Sequence, residues 1–232
     1  HVGGSVVECN TAYEGTRNTT ENHLLTMKEH GWSENFNVDI LDSEGPDMIL
    51  EIPNGAMISK NYVGKNLKNY DSMLVLSHFK GHPMGGYGGA LKNMSIGLAS
   101  SYGKANIHGA GEPEKIWTAD HDSFLESMAE AASSIMDYKK DKIAFINVMC
   151  NMSVDCDCCA EAEDPCMKDI GILASLDPVA LDQACIDLVY NSNDEGKEHL
   201  IERIESRNGI LTVEAAAALG VGSRDYELIE IG

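Results

Sequence analysis

Apolar and polar positions along this chain recur with two different periods. Short runs rich in β-branched and apolar residues, Ser5 to Cys9, Met48 to Ile52, Ser72 to Ser77, Lys142 to Val148, Ile170 to Ala174 and Tyr226 to Ile231, predict strands. Between them the period lengthens to that of a helix. Asp122 to Tyr138 sets Phe124, Met128, Ala131, Ala132 and Ile135 on one face, and Thr19 to His30 opens with Thr-Thr-Glu capping chemistry. The best-marked helix is Pro178 to Tyr190. Asp177 precedes it as N-cap, Pro178 takes its first turn, and Val179, Leu181, Ala184, Ile186 and Val189 form its apolar side. Glu198 to Arg207 and Thr212 to Leu219 make a helical pair parted by the stop signal Asn208-Gly209.

Strands alternating with helices predict an α/β fold, a single layered α/β/α-type domain over residues 1–232 with a mixed, mostly parallel sheet. Asn37 to Leu41 and Met48 to Ile52, joined by a short turn at Gly45-Pro46, predict a hairpin within it. No internal repeat, low-complexity tract or Pro- and Ser-rich linker marks a domain boundary.

Composition narrows the function classes. The formal net charge is −20, from 37 acidic and 17 basic side chains. Such a chain repels a phosphate backbone, so neither nucleic acid nor an anionic membrane is expected as a partner. A small anionic ligand is compatible with this charge, because a local basic pocket outweighs acidic surface lying beyond a screening length of about 8 Å. No run of 18 apolar residues predicts a membrane span. The chain begins at His1-Val-Gly-Gly without Met, so a natural N-terminal portion is expected to precede it. With no leader sequence and an odd count of seven cysteines, the reducing cytoplasm is the expected compartment.

Five of the seven cysteines fall between Cys150 and Cys166. Thiols kept for packing would spread along the chain, so this density among carboxylates points to metal, an iron-sulfur cluster, a redox pair or a disulfide. Cys156 and Cys158 can reach one soft metal from an extended loop, with Cys159, Cys166 or a distant histidine completing a tetrahedral set. The expected cofactor is therefore a metal ion, zinc or iron, or an iron-sulfur cluster. The spacing matches no standard zinc or ferredoxin pattern, and free thiols are the alternative. Cys9 and Cys185, on apolar faces, read as core.

A second block, Ser77 to Asn93, reads as strand, loop and helix. Loops at the carboxyl ends of strands are where α/β proteins bind ligands, and glycines there let backbone amides approach an anion. His78, Lys80 and His82 are the candidate catalytic residues, suited to proton exchange and to holding a carboxylate. Gly85, Gly86, Gly88, Gly89, Lys92 and Asn93 are candidates for ligand binding. The glycine spacing is neither the dinucleotide fingerprint nor a phosphate loop, so no nucleotide cofactor is expected, and tight packing is the alternative role for these glycines. Lys104 and His108 lie in a second stretch, Gly103 to Gly111, read as a loop facing the first. Asn10, Tyr13 and Arg17, after the first strand, add a candidate polar wall.

Several blocks resemble the family called domain of unknown function 362: Glu8 to Tyr13, Ser77 to His82, Gly88 to Asn93, Asp155-Cys-Asp-Cys158 and Asp169 to Gln183. The resemblance implies an iron-sulfur protein of anaerobic metabolism, since members often carry a ferredoxin-type insert with two four-iron clusters. This chain departs from that pattern, because the stretch from His108 to Asp122 holds no cysteine. Three functions therefore compete: a metal- or cluster-associated redox protein; an enzyme acting on a small carboxylate or phosphorylated metabolite; and a non-catalytic module docking on a ferredoxin-type redox partner.

Overall fold

The computed structural model describes residues 3–157, 159 and 161–231. The N-terminal part comprises β1 (Ser5–Glu8), α1 (Thr20–Glu29), α2 (Trp32–Asn35), β2 (Asn37–Ile40), β3 (Met48–Glu51) and β4 (Lys60–Val63). The middle comprises β5 (Met73–His78), β6 (Lys80–His82), β7 (Gly86–Gly88), α3 (Ala90–Leu98), α4 (Ser101–His108) and α5 (His121–Lys139). Then follow β8 (Ile143–Met149), β9 (Gly171–Ser175), α6 (Pro178–Tyr190), α7 (Lys197–Ser206) and α8 (Ile210–Ala218). Among the described residues, no helix is long and apolar enough to cross a membrane.

The fold is α/β, and its strands pair in both senses. β1 and β2 are parallel, β3 and β4 antiparallel, and β6 and β7 antiparallel, while β5, β8 and β9 form a three-stranded sheet. Within that sheet β5 runs parallel to β8 and β9 antiparallel to it. The strands are thus divided among four small sheets. The hairpin expected between β2 and β3 does not form, because each strand has another partner. The chain leaves β2 toward α4: the Asp42 carboxylate accepts from the Asn10 amide at 2.8 Å and from the Ser101 amide at 2.8 Å, drawing the connection away from β3.

Gly103 to Gly111 is also not a loop, since its first part is α4. Ser100 caps that helix by accepting from the Gly103 amide at 3.0 Å. Gly103 is required there by close packing, because a Cβ at this position would lie 1.9 Å from the Tyr62 carbonyl oxygen of β4. The stretch from Tyr226 to Ile231 forms no strand. Tyr226 Oη donates to Asp187 at 2.8 Å and Arg224 Nε to Gln183 at 2.8 Å, which lays this segment along α6, a helix with no ladder to offer.

Helix α5 lies between two apolar clusters. Phe124, Leu125, Met128 and Ala131 pack with Ile52, Ile58, Ile96 and Ile107 on one side. Ala129, Ala132 and Ile135 join Val75, Phe145, Leu91, Met94 and Val179 in the larger cluster. Cys9 and Cys185 are fully buried in that cluster. α6 spans the predicted residues, with the Asp177 carboxylate accepting from the amides of Val179 and Ala180.

One charged group links four of these elements. Asp182 of α6 is fully buried, and its carboxylate accepts from the α3 amides of Ala90 at 2.8 Å and Leu91 at 2.9 Å. It also accepts from Tyr87 Oη of β7 at 3.0 Å and Asn147 Nδ2 of β8 at 2.8 Å. Burial pushes its pKa up, while all four neighbours are donors and match the acceptor-only ionised form. Gly89 is what lets the carboxylate come so near, since a Cβ there would sit 2.6 Å from Asp182 Oδ1. We expect Asp182→Ala to lower unfolding stability by about 3–5 kcal/mol, because it strands four buried donors, and Tyr87→Phe by about 1 kcal/mol. Urea unfolding followed by circular dichroism measures both. A loss below about 1 kcal/mol for Asp182→Ala would contradict this role.

Candidate functional site

The sequence block around His78 and the cysteine run meet at the carboxyl ends of β5 and β8. These strands pair in parallel with His78 opposite Val148, so the segments leaving them travel side by side. The Phe79 amide donates to the Val148 carbonyl at 2.9 Å and the Gly81 amide to the Ser153 carbonyl at 2.8 Å. Gly81 fits because the chain of Val154 crosses directly over it: a Cβ would stand 2.2 Å from the Val154 oxygen. From α7, Arg203 Nη1 donates to that same oxygen at 3.1 Å and to Asp155 at 3.3 Å. The pairing carries Asp157 to Lys80 and Cys156 to His82.

Asp157 holds two cations. Its Oδ2 lies 2.7 Å from Lys80 Nζ and 2.9 Å from His78 Nδ1. The other ring nitrogen of His78, Nε2, is 2.8 Å from the Cys150 carbonyl oxygen. A carboxylate and a carbonyl only accept, so both ring nitrogens must donate, and His78 is an imidazolium. The hydrogen bond to Asp157 raises its pKa accordingly. The same bond, followed by that to Lys80, holds the Asp157 carboxyl well below the usual carboxylate range.

His82 is the opposite case. Its Nδ1 accepts from the amides of Met84 at 3.1 Å and Gly85 at 2.9 Å, which places the proton of the neutral ring on Nε2. Burial, with the charge of Lys92 next in weight, pushes its pKa down to about 4. The Cys156 side chain acts on this ring and favours its protonated form. With Nδ1 occupied by amides, that interaction falls to Nε2. A neutral imidazole N–H thus faces a buried sulfur as a hydrogen-bond donor; with Nδ1 engaged by amides and Nε2 protonated, the ring has no free nitrogen to take a thiol proton.

His108 lies on the same side of the molecule. Its Nδ1 donates to the Lys104 carbonyl at 2.7 Å and its ring stacks on Phe124 with centroids 4.8 Å apart. Burial lowers its pKa from 6.5 to about 4 against the hydrogen bond to the Lys104 carbonyl, and the charges of Lys92 and Lys104 act in the same direction as burial. Lys92 is half-buried on α3, and its ammonium has no ion pair or hydrogen bond among the described residues.

Other candidates are engaged within the chain. Lys104 is buried, donating to the carbonyls of Cys9 at 3.1 Å and Ala99 at 2.8 Å. Asn93 ties α3 to β5 by donating to the Leu76 carbonyl and Ser77 Oγ, each at 3.0 Å. Asn10 joins Thr20 and His23, and Arg17 pairs with Glu8 at 3.3 Å. The Tyr13 ring packs against Trp117, centroids 5.7 Å apart. Gly86, at φ +77°, lets β7 approach Gly209, whose Cα a Cβ would meet at 2.8 Å. Gly88 adjoins the Lys80 side chain. The α3 amides that the glycines bring forward already hold Asp182, an anion of the chain itself.

Among the described residues the cysteines are free thiols. Cys156 is buried beside His82, the Cys159 amide closes a turn on the Cys156 carbonyl, and Cys166 Sγ lies 3.3 Å from the Met152 carbonyl. Cys166 lines an acidic cleft with Glu163, Asp164, Glu195 and His199. Cys158 lies outside the described residues. Among the described residues, no group of three or more His, Cys, Asp or Glu side chains is placed to hold a metal ion. Cys156 and His82 are two soft donors in contact, fewer than a structural zinc site needs, so no step through a metal follows from them.

A family model described as domain of unknown function (DUF362) matches residues 3–187. The chain belongs to the DUF362 family. No curated protein and no solved structure matches it. In this DUF362 chain the matched part contains His78, Lys80, His82, Lys92, Cys156, Asp157 and Asp182, whereas α7 and α8, with Arg203, lie beyond it. The residue that sequence reasoning passed over is Asp157, grouped there with the surrounding acids. Its position between two cysteines, opposite a loop holding a lysine and two histidines, was the available signal.

Because His108 is neutral inside the fold and titrates near its ordinary value when unfolded, the unfolded chain binds more protons between pH 6.5 and about 4. Its contribution to stability is therefore complete above that window and is lost as pH falls through it, by roughly 3 kcal/mol in all. We expect the His108→Gln variant to show a flatter fall of urea-unfolding stability from pH 7 to 4.5 than the parent. An unchanged slope would exclude His108 as a source.

Proposed function

We propose that this DUF362 protein binds a small carboxylate or phosphorylated metabolite close to His82, with Lys92 and Lys80 supplying positive charge. The observation that carries this reading is Lys92. In a chain with 37 acidic and 17 basic side chains, this half-buried ammonium has no carboxylate opposite it among the described residues. Its field bears instead on two buried neutral imidazoles, those of His82 and His108. Nearby, Lys80 and the His78 imidazolium share the single charge of Asp157 and leave one positive charge in excess. A ligand anion would neutralise this excess in a place of low dielectric, where charge matters most.

We expect phosphate or acetate to raise the melting temperature of the parent saturably, and Lys92→Met to abolish that shift. Ligand at 100 times its dissociation constant stabilises by about 2.7 kcal/mol. An equal shift in Lys92→Met would remove the proposal.

The contact of Cys156 with His82 also favours a second reading, in which these two side chains are protein ligands of a soft metal ion, zinc or iron, in a redox-associated role. Elemental analysis of protein purified without oxygen is expected to find zinc or iron at one atom per chain in the parent and none in Cys156→Ala. Metal absent from the parent rejects this alternative.

A further inference from the structure

A cavity of about 210 Å³ opens on the far side of the β6–β7 turn, lined by Met84, His108, Trp117, His121, Phe124 and Arg207 among others. Its wall is unusually rich in flat rings. His108 stacks on Phe124 at 4.8 Å with an interplanar angle of 23°, and His121 meets the same ring edge-on at 6.3 Å. Trp117, braced by Tyr13 at an interplanar angle of 51°, remains 63% exposed. A cavity of roughly 150 Å³ holds one benzene-sized molecule, so this one admits a single ring with a short substituent and no more.

Arg207, an exposed residue, also lines the cavity. Arg207 caps α7, and its backbone carbonyl accepts from His121 Nε2 at 2.8 Å. Its guanidinium has no ion pair or hydrogen bond among the described residues. Asn208 Nδ2 donates to Asp122 at 3.0 Å, so the end of α7 is fixed to the start of α5 by groups other than the Arg207 side chain. The guanidinium is therefore free to act on a ligand while its backbone stays anchored. A planar fork beside stacked rings matches a planar carboxylate carried on a ring.

We infer that this cavity binds a single-ring aromatic carboxylate, its ring against the exposed Trp117 and its carboxylate on Arg207. The inference rests on Trp117 and Arg207, neither of which is part of the anion site proposed at Lys92, so each stands or falls separately. Ring stacking of this kind contributes about 0.5–1.5 kcal/mol beyond area burial, which makes benzoate distinguishable from a non-aromatic acid of similar size.

The test uses the two tryptophans, Trp32 and Trp117. In Trp32→Phe, Trp117 alone reports on the cavity. Titration with benzoate is expected to quench this fluorescence saturably, with cyclohexanecarboxylate about two- to twelvefold weaker and acetate without effect. Arg207→Gln in the same background should weaken benzoate at least tenfold while its melting temperature stays within 2 °C of the parent, and Lys92→Met should bind benzoate as the parent does. Quenching by benzoate no stronger than by acetate would overturn the inference. So would Arg207→Gln binding at full affinity, or loss of benzoate in Lys92→Met alone.

Discussion

The arrangement of this protein depends on a carboxylate sealed in its centre. Asp182 accepts hydrogen bonds from two α3 amides, from Tyr87 on β7 and from Asn147 on β8, while its own backbone belongs to α6. A buried charge is tolerated only when its hydrogen-bonding capacity is met, so these four elements have few alternative positions relative to one another. The β6–β7 turn follows from this placement, and with it the two amides that fix the tautomer of His82. Here the N-terminus of a helix, often a seat for a ligand anion, is filled by the protein itself. Among the described residues, the Lys92 ammonium on the same helix is half-buried and has no carboxylate opposite it.

A second constraint sets the chemistry. β5 and β8 run parallel, so their following segments leave from the same end, and Gly81 permits one backbone to cross the other within contact distance. The result is a pair of histidines only four residues apart in opposite states. His78, between a carboxylate and a carbonyl, is held charged, whereas His82, accepting from two amides in a buried place, is held neutral. The difference arises from partners and not from sequence position. It gives a surface of strongly negative chain charge one local region of positive excess.

Much of the architecture was legible in the order of residues. Asp177-Pro178 and the apolar spacing after it marked α6 residue for residue, and Phe124, Met128, Ala131, Ala132 and Ile135 are all buried on α5 as their period required. Five of the six predicted strand runs carry strands. The failures are those of partner choice. Tyr226 to Ile231 has strand composition but lies against a helix, and the Gly45-Pro46 turn joins strands that each pair elsewhere. Gly103 read as a loop residue because glycine disfavours helices, yet here it is the one residue small enough to let α4 meet Tyr62.

What the sequence determined by itself was membership of an α/β class, the family, the excess of acid and the two segments rich in potential ligands, because period, composition and motif are local properties of the chain. Which members of those segments act together was decided only in three dimensions. Asp157 and Lys80 are 77 positions apart, and Asp182 and Leu91 are 91 apart; a hydrogen bond across such a separation depends on strand register and helix packing. The protonation of His78, the tautomer of His82 and the unmatched charge of Lys92 are consequences of that packing, since each is set by neighbours that no spacing along the chain specifies.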